Sequence, residues 1–63
     1  MDKNKKAQFN SLQQMLYAAQ GMLFAFEDAN KSEITPDAQE RLDKVETIFE
    51  RLLEEMSQAL VRL

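Results

Sequence analysis

The sequence predicts an all-α fold, an antiparallel two-helix hairpin that dimerises into a four-helix bundle, and three observations carry that expectation. Helix-favouring Ala, Leu, Met, Gln, Glu, Lys and Arg fill nearly the whole chain, with a single Gly and a single Pro. The one concentration of helix-ending residues lies between Asn30 and Pro36. On either side of it, apolar residues recur at alternating intervals of three and four, the pattern of helices that pack along a seam.

The first helix is expected from about Lys5 to Ala29, ending where Asn30 can take the left-handed conformation. Thr35, Pro36 and Asp37 then supply an N-cap hydroxyl, a first-turn proline and a carboxylate at the positive end of the second helix, expected from Pro36 to Arg62. In helix 1 the seam reads Phe9, Leu12, Leu16, Ala19, Leu23, Phe26; in helix 2 it reads Ala38, Leu42, Val45, Phe49, Leu52, Met56, Ala59, Leu63. A short loop makes the helices antiparallel. Pairing Phe26 with Ala38, Leu16 with Phe49 and Phe9 with Met56 keeps the facing residue numbers at sums of 64 or 65, one register for both stripes.

Sixty-three residues form one domain, and a chain of that size buries only about 60% of the surface its unfolded form exposes. There is no Cys for a disulfide and no His for the commonest metal sites, so association is the remaining source of stability. Met15, Met22 and Ile48 are expected to flank the seam on one side and Leu53 and Leu60 on the other, making the apolar stripe wider than two helices need. Burying four or five such side chains at roughly 1.5 to 3 kcal/mol each would match the stability of a small domain before association entropy is counted. A homodimer with those five residues at its interface is therefore expected; helices of a different protein are the competing cover.

Eleven acidic and eight basic residues give a net charge of -3, which disfavours nucleic acid as a partner. Ala7 to Phe26 carries no charge over twenty positions, but its six Gln, Asn and Ser residues argue against a membrane span, and no signal-peptide cleavage pattern follows the Lys-rich start. A cytoplasmic protein follows from that reading. Without His or Cys, and without a glycine-rich phosphate loop, no catalytic, metal or cofactor site is expected. Function should then rest on binding another protein. The candidate site is Tyr17, Gly21 and Phe24, two aromatics off the seam with a glycine between them. The plainer reading is that these residues complete the dimer core. Glu27, Asp28, Glu33, Asp37 and Glu40 crowd the hairpin tip, read as a solvated acidic end, and Lys3, Lys5 and Lys6 form a short basic arm.

In length and layout the chain resembles plasmid copy-number regulators of the Rop type, short antiparallel hairpins that dimerise into four-helix bundles. It also resembles the small helical accessory proteins of lambda-type phage early regions, and more distantly the small helical chaperones of type III secretion. These resemblances cover the whole chain and are architectural. They imply a small homodimeric regulator or adaptor of host processes, an RNA-binding dimer, or a chaperone that holds a partner helix. Helix 1 has no charge between Lys6 and Glu27, a departure from the basic exposed face that RNA binding would need.

Overall fold

The computed structural model describes residues 1–63 as two helices, α1 (Lys3–Ala29) and α2 (Pro36–Arg62), joined by one short turn. α1 begins two residues earlier than the apolar pattern suggests because the Asp2 carboxylate accepts from the backbone N–H of Lys5, capping the first turn. Its other end closes without a left-handed residue. Asn30 sits at φ -116°, and both its backbone N–H and its Nδ2 donate to the carbonyl of Phe26, so a side-chain amide does what a positive φ would have done. The start of α2 is as expected: Thr35 Oγ1 accepts from the N–H of Ala38, with Pro36 and Asp37 in the first turn. Of the i, i+4 ion pairs available on α2, only Lys44 with Glu40 closes, at 4.0 Å between exposed side chains.

The helices pack side by side, but each is turned about its axis relative to the expected seam. The shielded positions are Phe9, Gln13, Leu16, Ala19, Gln20, Leu23 and Glu27 on α1, and Gln39, Leu42, Glu46, Phe49, Leu53, Met56 and Leu60 on α2, with Leu63 just after it. Phe9, Leu16, Ala19, Leu23, Leu42, Phe49 and Met56 therefore lie in the seam as expected. Leu12, Phe26, Val45 and Leu52 do not; all four are exposed, and Gln13, Glu27, Glu46 and Leu53 occupy the corresponding column. Moving one of two columns by one residue turns each helix by roughly 50°, half of the 100° between successive residues.

The register stays within two residues of the expected one, and the rotation brings polar side chains into the seam. Gln13 Nε2 donates to the carbonyl of Leu53 and to Ser57 Oγ, Gln39 Nε2 donates to Glu27 Oε1, and the Glu27 carboxylate lies beside Glu46. Gln13 with Leu53 and Glu27 with Gln39 each sum to 66, the expected Leu12–Leu52 and Phe26–Ala38 pairs moved on by one residue in each helix, while the reaches to Ser57 and Glu46 sum to 70 and 73. The reason is polar. A buried amide has to find partners, and Gln13, one of only three buried residues, finds two in this register. A polar residue at a seam position fixes alignment that apolar side chains alone leave open.

Candidate interaction surfaces

Two broad faces flank the seam. On one, Leu12 and Phe26 of α1 lie on the same side as Ala38, Val45, Leu52 and Ala59 of α2, with Met15, Met22 and Ile48 along the outer edges. Met15 is 69%, Met22 73% and Ile48 64% exposed, and Leu12, Phe26, Val45 and Leu52 are open to solvent beside them. Leu53 and Leu60, expected to flank the seam on its other side, are instead part of it, and Leu53 is the most buried residue of the chain. The apolar stripe is thus divided. Half of it closes the hairpin, and the other half forms one continuous outward face.

The opposite face carries Tyr17 and Phe24, both more than two-fifths exposed and therefore outside the hairpin core. No atom lies within 4 Å of where a Cβ on Gly21 would stand, so a partner's backbone has room to approach between them. Phe24 borders a shallow groove shared with Glu27, Asp28, Lys31, Asp43 and Glu46. This carboxylate grouping was not legible as a site in the sequence, because it is assembled across two helices from positions fifteen or more residues apart. Carboxylate oxygens of Glu27, Asp43 and Glu46 lie within 4.8 Å of one another, close enough to share a proton or a cation.

The Gln39 amide bridges part of this group, donating to Glu27 Oε1 at 2.7 Å and to Asp43 Oδ1 at 2.9 Å. Glu27 Oε2 is buried without a hydrogen-bond partner. Glu46 is pushed above the ordinary glutamate value of 4.5, first by partial burial and then by the Glu27 and Asp43 carboxylates. A proton on Glu46 lets it donate to Glu27. A carboxyl held up in the folded state stabilises the fold below its unfolded value, and that contribution is lost as the pH rises through the folded value. The melting temperature should therefore rise as the pH falls from neutral towards 4.5. Glu46→Gln should melt higher than the parent at neutral pH and show a flatter profile; parallel melting curves for the two proteins would rule out the shared proton.

The fold defines a two-helix hairpin with an open apolar face on one side and an aromatic, acidic face on the other. No helix is long and apolar enough to cross a membrane. No protein-family profile, curated protein or solved structure matches the chain.

Proposed function

We propose that the protein is a small homodimeric adaptor or regulator that acts by binding another protein, with the second copy seated on the apolar face and the Tyr17, Gly21 and Phe24 face left for the partner. The observation that carries this reading is the segregation of two kinds of exposed hydrophobic residue onto opposite faces. Its quantitative support is area. A folded monomer of 7.3 kDa is expected to expose about 4,200 Å² from the scaling of surface with mass. This chain exposes 5104 Å². The excess, about 900 Å², is close to the roughly 800 Å² that each partner contributes to a standard interface. The hairpin's long dimensions, 47 by 17 Å, give a broad face of matching size.

The partner side of the reading has its own test. Tyr17→Ala with Phe24→Ala should leave dimer mass and helicity nearly unchanged, since truncating exposed side chains shifts stability by under about 0.5 kcal/mol. Affinity for a partner captured from the native host should fall at least roughly thirty-fold, because aromatic anchors commonly contribute about 2 kcal/mol or more. A double variant that melts several degrees lower, or that captures the same partner with undiminished affinity, would remove the ridge as the binding site.

A further inference from the structure

We infer that the second copy lies on the apolar face with its loop at the opposite end of the bundle, so that the two α2 helices run antiparallel across the interface. This inference rests on the homodimer reading above and adds the orientation. A two-fold axis in the plane of the interface has two choices. Along the helices, it puts both loops together and lays α2 over the partner's α1. Across them, it puts the loops apart and lays α2 over α2. Every adjacent pair of helices is antiparallel in both, so the helix dipoles do not choose between them.

Side-chain charge does choose. Cut through the helix centres, the loop half of the hairpin (residues 17–48) holds seven acidic and three basic residues, a net of -4. The open half (residues 1–16 and 49–63) holds four acidic and five basic residues, a net of +1. Loops together would stack -4 on -4. Loops apart set each acidic end over the weakly basic end of the other copy, and complementary placement of this kind fixes orientation even where it adds little affinity.

The edge of the apolar face points the same way. Arg41, Ile48 and Glu55 recur at intervals of seven along α2, and neither Arg41 nor Glu55 has an ion-pair partner within its own chain. With the α2 helices antiparallel about Ile48, Arg41 comes within one helical turn of Glu55 of the partner subunit, twice per dimer. With the loops together, the same edge would run along Gln8, Met15, Met22 and Ala29 of the partner subunit, none of which carries a charge.

The chain has no cysteine, so Ser32→Cys in the exposed turn gives a single site for a nitroxide label. Pulsed dipolar spectroscopy should return an inter-label distance comparable to the 47 Å length of the hairpin. A distance below about half that length, in a protein of dimeric mass by light scattering, would overturn the orientation and leave the homodimer standing. Monomeric mass with no dipolar signal would overturn both. A charge swap supplies an independent reading: Arg41→Glu and Glu55→Arg should each weaken the dimer by up to about fivefold, and the two together should restore it to within about twofold. The two positions are roughly 21 Å apart along one helix, too far for coupling within a chain, so additive losses would also overturn the orientation.

Discussion

Ile48→Glu should raise the dimer dissociation constant by more than about a hundredfold, the largest effect expected of any surface substitution in this protein. Ile48 is 64% exposed in the single hairpin, so it contributes little to holding α1 against α2. In the proposed dimer it is covered twice, once in each copy. Losing the burial of two isoleucines removes about 3 kcal/mol at the lower end of the usual range, before the cost of placing two carboxylates in an apolar interface. Only Gln13, Leu53 and Met56 are buried in the hairpin itself, so dissociation should carry helicity with it. The variant should be helical at high concentration, unfold on dilution, and melt at a temperature that rises with concentration. Sedimentation equilibrium and circular dichroism across a dilution series measure both. A variant that keeps the parent's dimer mass would show that the apolar face is not where the second copy sits.

Leu53→Asp should abolish the fold at every concentration. The sequence pattern placed Leu53 beside the seam, where a charge would weaken the dimer more than the hairpin; the structure places it inside, 4% exposed, one turn from Met56. Truncating a buried leucine costs about 2 to 5 kcal/mol, and an unpaired buried carboxylate adds to that. The sum equals or exceeds the roughly 3 to 9 kcal/mol expected of a domain this small. The contrast with Ile48→Glu is the informative part. High protein concentration should rescue helicity in Ile48→Glu and fail to do so in Leu53→Asp. If Leu53→Asp were instead rescued by concentration, the seam would run through the Leu12, Val45 and Leu52 column, and the rotation of the helices described above would be wrong.

Local chemistry was enough to determine where the chain is helical and where it turns. Asp2 and Thr35 have oxygens placed to cap, Pro36 accepts a first-turn position that costs it nothing, and Asn30, Ser32 and Thr35 favour caps and turns over helix interiors. Each of those effects acts within four residues, so the sequence carries it whole. Tyr17 and Phe24 were likewise legible as standing off the seam, because their positions relative to Leu16 and Leu23 follow from the helical repeat alone. Which column of the apolar stripe closes the hairpin was not legible. Leu12 and its equivalents lie on one side of Leu16 and Gln13 and its equivalents on the other, and a periodicity of three and four fits either the apolar pair of columns or, on α2, the pair that includes Leu53 and Leu60. The tertiary structure decided it through contacts between residues 12 to 44 positions apart: Gln13 with Leu53 and Ser57, and Gln39 with Glu27. Amides held across the seam fix the rotation and the register together, and that rotation turns Leu12, Phe26, Val45 and Leu52 outward and gathers Glu27, Asp43 and Glu46 into one cluster.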